Sequence, residues 1–403
     1  MPDVGDKVQL EIEDVAYRGP GVARLDGLVV FVDRVAPGER VEAEIIRVRK
    51  NFAEASLLQI LQPSPHRIPS CAAGTDGALQ PGCAYDFLDY ATEVEIKQKQ
   101  MAGLLRHVPG IVDATLEPFA APRPLNYRKK IVLHAQRVGR DPAAIGYYGP
   151  DNRTVVDLDR CALAHDAINF AWAAQRAEAC RKLENGQSVT LRWTAADGVS
   201  SWVDQAPADA PLLTETSPGG PLKVHPDGFY QVNGEVGDAL VLQVRDWATQ
   251  AGAEMGEHTL LDLYCGVGVF ALNSAGPGAA SVQGIESVQA SVAAARLNAR
   301  EWNRRATFRC AHVEDAARIG FGVEDLGRTL VIADPPRKGM EPGVLSALGN
   351  GRVPHLIIAA CDPATLARDL KRLQPFGYRV RAARMLDMFP RTPHFETAVW
   401  LSL

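Results

Sequence analysis

The sequence predicts an α/β protein: a C-terminal, doubly wound Rossmann-like domain, preceded by a small N-terminal β-barrel and a mixed α+β central domain. Three observations predict it. From Asn233 onward, short apolar runs (Leu260–Tyr264, Ser281–Ile285, Thr329–Ala333, His355–Ala360) alternate with helical stretches. That order builds a mostly parallel sheet with helices on both faces. Residues 7–60 instead alternate polar and apolar side chains between glycine-rich turns, the pattern of short half-buried strands. Residues 125–235 mix strands with one helix near Asp166–Leu183 and follow no single period. The expected division is 1–61, 62–228 and 229–403.

Within the first part, Lys7–Ile12 and Val41–Ile45 alternate, and Val29–Val32 is a more buried run. Gly19-Pro20-Gly21, Asp26-Gly27 and Pro37-Gly38 supply the turns. Several strands in so short a span suggest a barrel of OB-like type. Arg47, Arg49 and Lys50 are expected to end its last strand, so the barrel either serves packing alone or binds nucleic acid. Pro63-Ser64-Pro65-His66 breaks the chain. Residues 66–90 hold two cysteines among turn residues and read as irregular, and Glu93–Val108 reads as an amphipathic helix.

The 403 residues suffice for two or three domains. With 43 basic against 48 acidic side chains, the net charge is −5, so a basic coat is absent and any nucleic-acid contact must be a local patch. No run approaches the 18 apolar residues of a membrane span. Met1–Asp6 lacks the apolar stretch of a secretory leader, and seven scattered cysteines, an odd number, fit a reducing compartment. The expectation is a cytoplasmic protein with no membrane partner.

Leu260–Phe270 reads as a strand running into a glycine turn and then a helix. Gly266 and Gly268 allow a ligand to approach the backbone beside a helix N-terminus. Glu286 ends the next strand, where a carboxylate accepts both ribose hydroxyls. A dinucleotide and S-adenosylmethionine both fit this logic. The Asp262-x-x-x-Gly266-x-Gly268 spacing favours S-adenosylmethionine, because the dinucleotide pattern wants a third glycine. Asp315 follows a further strand and is a candidate for the adenine or, alternatively, a helix cap.

Asp334-Pro335-Pro336-Arg337 follows an apolar run, at the strand ends where such sheets place their sites. Arg337 stands where enzymes methylating amino groups usually have an aromatic residue, which argues against that chemistry. Cys361 ends another apolar run before a loop and helix, a setting for a reactive thiolate. Glu396 precedes the last strand and could supply a base.

Together these residues resemble the S-adenosylmethionine-dependent RNA 5-methyluridine methyltransferases with an N-terminal TRAM barrel. The resemblance rests on Phe229–Asn233, Asp262–Gly268, Asp334–Gly339, Cys361–Leu370 and Asp387–Glu396, in order. It implies that Gln231, Tyr264, Glu286 and Asp334 line the cofactor site, beside Gly266 and the candidate Asp315. It implies that Cys361 attacks carbon 6 of uracil, which makes carbon 5 nucleophilic, and that Glu396 removes the carbon-5 proton. The target base must leave its stack. Val269 departs from the family, which often has Asn there.

Many members hold a 4Fe-4S cluster in a C-x5-C-x2-C run with a fourth cysteine downstream. Here Cys71, Cys83 and Cys161 match, but Gln80 replaces one ligand, and four thiolates are the ordinary set. A cluster is therefore doubtful and no other metal is expected. Cys180 and Cys310 match nothing and are expected to be buried. Arg128, Lys129 and Lys130, and a local excess of basic residues over 361–403, are expected near the RNA, the alternative being an ordinary solvated surface. The barrel leans the RNA towards 23S rRNA rather than tRNA. Alternatives are methylation of tRNA or another base, or an RNA-binding factor with a vestigial methyltransferase site. A monomer is expected.

Overall fold

A computed structural model describes residues 2–71, 80–139 and 142–403. The chain divides into two compact units, Met1–Gln100 with Phe389–His394 and Met101–Met388 with Phe395–Leu403.

In the first unit, β1 (Lys7–Glu11), β2 (Asp14–Val15), β3 (Gly21–Leu25), β4 (Leu28–Val32), β5 (Arg40–Val48) and β6 (Phe52–Gln62) form one sheet, ordered β1-β5-β6-β4-β3-β2. Only β4 and β6 pair in parallel. The predicted alternation places Leu10, Val41, Ala43 and Ile45 inside, against Val30 and Val32. Gly21 is forced by packing, since a Cβ there would lie 2.2 Å from Val35. Arg47, Arg49 and Lys50 do not end the last strand: Arg47 lies in β5, β6 follows, and Arg47 faces Glu54 across that pair at 3.4 Å.

Beyond the sheet, the fully buried Glu39 carboxylate accepts from Arg67 Nε (2.5 Å) and Nη2 (2.9 Å). Helix α1 (Tyr90–Leu105) starts three residues before the expected helix. Instead of a plain apolar face it buries a charged pair, Glu93 and Lys97, 2.7 Å apart one turn along. Arg391, from the C-terminal segment of this unit, joins Glu93 at 3.2 Å.

In the second unit, β7 (Lys130–Gln136), β8 (Ala144–Tyr148) and β9 (Val155–Asp157) lead to α2 (Asp166–Lys182), β10 (Ser188–Thr194) and β11 (Gly198–Val203). The strands form an antiparallel sheet ordered β11-β10-β7-β8-β9. A hairpin follows, β12 (Leu213–Ser217) with β13 (Gly220–Val224), and then α3 (Gly234–Met255), capped by the Asn233 side chain on Val236 N.

The remaining elements are β14 (His258–Leu263), α4 (Val269–Ser274), β15 (Ala279–Glu286), α5 (Gln289–Glu301), β16 (Thr307–Cys310), α6 (Val313–Ala317), β17 (Thr329–Ala333), α7 (Pro342–Asn350), β18 (His355–Ala360), α8 (Pro363–Leu373), β19 (Arg379–Leu386) and β20 (Glu396–Ser402). The strands make one sheet ordered β16-β15-β14-β17-β18-β20-β19. The first five run parallel, and β20 runs antiparallel to both neighbours. Every residue of β17, β18 and β20 is buried, as covering both faces of a sheet requires. Among the described residues no helix is long and apolar enough to cross a membrane.

Candidate active site

Parallel strands bring their carboxyl ends to one edge of the sheet, and β20, being antiparallel, brings its first residue to that same edge. Ala360 pairs with Thr397, so Cys361 and Glu396 are the next positions on the two strands. Asp334 follows β17, the other neighbour of β18.

Cys361 is half-buried. Burial and the carboxyls of Glu396 and Asp334 push its thiol up to about 12, and the Arg337 guanidinium opposes them. Glu396 is 2% exposed, and its Oε1 meets no hydrogen-bond donor among the described residues. Burial and Asp334 hold its carboxyl well above the usual range, again against Arg337. Burial raises Asp334 to about 7. The sequence presented Arg337 only as a missing aromatic, whereas the structure makes it the counter-charge of the thiol and the carboxyl.

The loop after Asp334 is fixed from α8. Asp369 accepts from Met340 N at 2.8 Å, and Arg368 donates to Lys338 O at 2.7 Å. Asp362 caps α8 through Ala364 N and Thr365 N, both at 3.0 Å, which holds the backbone just after Cys361.

The turn after β14 requires unusual backbone. Tyr264, Gly266 and Gly268 have φ of 62°, 52° and 86°, the left-handed region that a residue such as Tyr rarely adopts. Nothing lies within 4 Å of where a Gly266 Cβ would stand, so the turn presents bare backbone to open space. Glu286 takes Gly266 N on one oxygen (3.1 Å) and Val288 N on the other (2.8 Å). A carboxylate has further lone pairs for a ligand's hydroxyls. Asp262, read from the sequence only as part of a spacing, is fully buried beneath the turn and accepts from Ala271 N at 2.8 Å. Burial, Asp334 and Glu286 raise its carboxyl well above the usual range.

The bare backbone of the turn and the further lone pairs of Glu286 suit a ligand that carries ribose hydroxyls. S-adenosylmethionine is such a molecule, and the residues fit it. Gln231 lies just before α3, against Gly237, whose absent Cβ would come within 2.9 Å of it. Asp315 sits in the first turn of α6, exposed and 3.3 Å from Arg318. Its neighbour Glu314 is the acid beside Tyr264, and together with burial it pushes that phenol up.

The residues matched to the iron–sulfur ligands have other neighbours, each within its own unit. Cys71 Sγ donates to Asp86 O (3.1 Å), Gln80 Nε2 approaches Cys83 Sγ (3.5 Å), and Cys161 Sγ meets Tyr147 OH (3.4 Å). Among the described residues no group of three or more Cys, His, Asp or Glu is arranged for a metal ion. Cys180 is buried as expected, whereas Cys310 is exposed, at the end of β16 beside Ser287 O.

The basic clusters are also largely neutralised within the fold. Lys129 pairs with Glu215 at 2.8 Å, and Lys130 donates to Asp227 O. Arg368 and Arg372 share Asp369, Arg381 pairs with Glu254, and Arg391 is buried against Glu93. Of the basic residues of 361–403, Arg391 is thus buried, while Arg368, Arg372 and Arg381 stay 41–44% exposed in their ion pairs.

A Rossmann-like sheet ending in an antiparallel pair, with an acid-lined glycine turn and a thiol beside a buried carboxyl, defines a group-transfer enzyme. Residues 222–403 match the tRNA (uracil-5-)-methyltransferase family, and residues 3–58 match the TRAM domain. An RNA methyltransferase of Gloeobacter violaceus is 31% identical over 98% of this chain and 96% of its own length. The 23S rRNA (uracil(1939)-C(5))-methyltransferase RlmD of Chromohalobacter salexigens is 31% identical over 98% and 89%. The crystal structure of Pyrococcus abyssi tRNA (uracil-54, C5)-methyltransferase, in complex with S-adenosyl-L-homocysteine, superposes with a TM-score of 0.73 at 24% identity, covering 98% of this chain and 99% of that one. The chain belongs to the RNA (uracil-5-)-methyltransferase family.

Proposed function

We propose that this enzyme methylates carbon 5 of one uridine in 23S rRNA through a covalent adduct between Cys361 and the uracil ring. The convergence of Cys361, Glu396 and Asp334 at one sheet edge, with Arg337 as the counter-charge of Cys361 and Glu396, carries this reading. S-adenosylmethionine, held by Tyr264, Gly266, Glu286 and Asp334 with Gln231 and Asp315 at its margins, supplies an electrophilic methyl group.

Carbon 5 of uracil is a poor nucleophile, so the ring needs activation. The Cys361 thiolate adds to carbon 6, and the displaced electron pair makes an enolate with carbon 5 nucleophilic. Carbon 5 takes the methyl group, the bond broken being that to the donor's sulfur, which leaves with the electron pair. Ionised Glu396 then removes the carbon-5 proton, the carbon 5–carbon 6 double bond re-forms, and the carbon–sulfur bond breaks to return the thiolate. Arg337 favours the ionised form of both groups. The base must be extruded from its stack to reach the thiol.

In this reading residues 1–61 form an RNA-binding barrel, 62–228 the central domain and 229–403 the methyltransferase domain, in a monomer working in the cytoplasm. The 23S rRNA relatives support ribosomal RNA, and the Pyrococcus likeness favours tRNA as the second reading. RNA tritiated at uridine carbon 5, as separate ribosomal and transfer pools, decides between them. Cofactor-dependent tritium release from ribosomal RNA alone is expected. Release from transfer RNA alone replaces the substrate, and release from neither overturns the reading.

A further inference from the structure

The β12–β13 hairpin has no place in the sequence reading, yet it bears directly on the glycine turn. Three side chains of α4, α5 and the residue after α5 hold its backbone. Asn273 Oδ1 accepts from Gly219 N at 2.8 Å. Trp302 Nε1 donates to Pro221 O at 2.7 Å. Asn298 Oδ1 accepts from Lys223 N at 2.7 Å, and its Nδ2 donates to Lys223 O at 3.1 Å. Asn298 thus pairs with Lys223 as a neighbouring strand would.

Asn298 does one thing more. Its Nδ2 also donates to Val267 O at 3.0 Å, the carbonyl between Gly266 and Gly268. The side chain is fully buried, and its orientation is determined: the swapped amide would set its oxygen against two carbonyls. Glycine-flanked backbone has many accessible conformations. Gly268, at the start of α4, has no side-chain cap. Leu213 and Val224 of the hairpin pack with Val267 and Ala294, with Val269 and Tyr230 against them, and Tyr230 OH donates to Thr216 O at 2.6 Å.

We infer that Asn298 is a positioning residue for the cofactor: it locks the Gly266–Gly268 turn in its binding conformation by tying Val267 to the hairpin. The inference rests on the proposed use of S-adenosylmethionine. A buried carbonyl without its donor, and a turn free to leave its binding shape, both oppose the bound state. Asn298→Ala is expected to weaken S-adenosylmethionine binding about tenfold. RNA affinity, and turnover at saturating cofactor, should stay within about twofold. Trp302→Phe removes a hairpin anchor on the same side of the sheet without touching the turn, so it should lower the melting temperature and leave cofactor affinity unchanged.

Equilibrium dialysis with S-adenosylmethionine, on wild type and both variants, tests this. Amide hydrogen exchange on the wild-type protein tests it without a substitution. Added cofactor should slow exchange in residues 213–224 together with 262–272. Equal cofactor affinity in Asn298→Ala and wild type, equal weakening in Trp302→Phe, or protection confined to 262–272 would each overturn the inference. Failure of the wild-type protein to bind S-adenosylmethionine would instead overturn the proposed cofactor.

Discussion

The thiol that must attack is held protonated in the resting enzyme, and this gives a quantitative prediction. Burial, Glu396 and Asp334 raise Cys361 from an ordinary 9.0 to about 12, with only Arg337 opposing. A thiol raised that far is ionised about a thousandfold less often at neutral pH than an ordinary one. Cys361 is half-buried, and solvent screening trims this to at least about a hundredfold. At a pH of about 7.5 iodoacetamide should therefore alkylate Cys361 at least about a hundred times more slowly than a cysteine peptide in the same tube, since the thiolate is the reacting form. The assay is mass spectrometry of the Cys361 peptide against time. Arg337→Ala should slow alkylation further, and Asp334→Asn should speed it several-fold. Alkylation of wild-type Cys361 at the peptide's rate would refute the electrostatic account. The corollary is that substrate binding must help to expel the proton, so the thiol is spared adventitious oxidation between turnovers.

Further predictions follow from the same cluster. The initial rate should climb with pH between 6 and 8, as a Cys361 thiol raised to about 12 becomes ionised more often; a rate that falls over that range contradicts this. Asp334 is raised in the fold, so the stability it contributes is full below its unfolded value and is lost as pH rises through about 7. Asp334→Asn should accordingly raise the melting temperature at pH 8 by about 2–4 °C, and by less than half as much at pH 5; calorimetry at both values checks the sign. Cys361→Ala should abolish turnover while S-adenosylmethionine affinity stays within about threefold, by equilibrium dialysis.

The glycine turn and the strand ends are legible in the sequence because their chemistry is written locally. Asp262, Gly266, Gly268 and Glu286 lie within one β–turn–helix–β stretch, and Asp334 and Cys361 each follow an apolar strand. Glu396 is legible as a candidate base, but its closeness to Cys361 is not, since that depends on β20 running antiparallel, which periodicity does not reveal. Arg337 escapes the sequence for a related reason: its meaning lies in the two groups it faces, which are 24 and 59 positions away in the chain. β6 escapes it because its exposed C-terminal half, Leu57–Gln62, loses the clean alternation. Which basic residues have buried acidic partners, such as Glu93, Glu215 and Asp369, is likewise not legible from a charge count. The hairpin clamp on Val267 is invisible because Asn298 bonds to backbone, and backbone carries no sequence signature.

The most direct test of the covalent account uses Glu396→Gln. Without the base, the methylated ring keeps its carbon-5 proton and elimination cannot proceed. Incubated with S-adenosylmethionine and substrate RNA, the variant should accumulate a protein–RNA adduct that survives denaturing electrophoresis, yields a peptide carrying a methylated nucleotide on Cys361, and is missing when Cys361 is also replaced by Ala. If Glu396→Gln forms no adduct yet still methylates the RNA, or if the adduct persists without Cys361, the covalent mechanism is wrong.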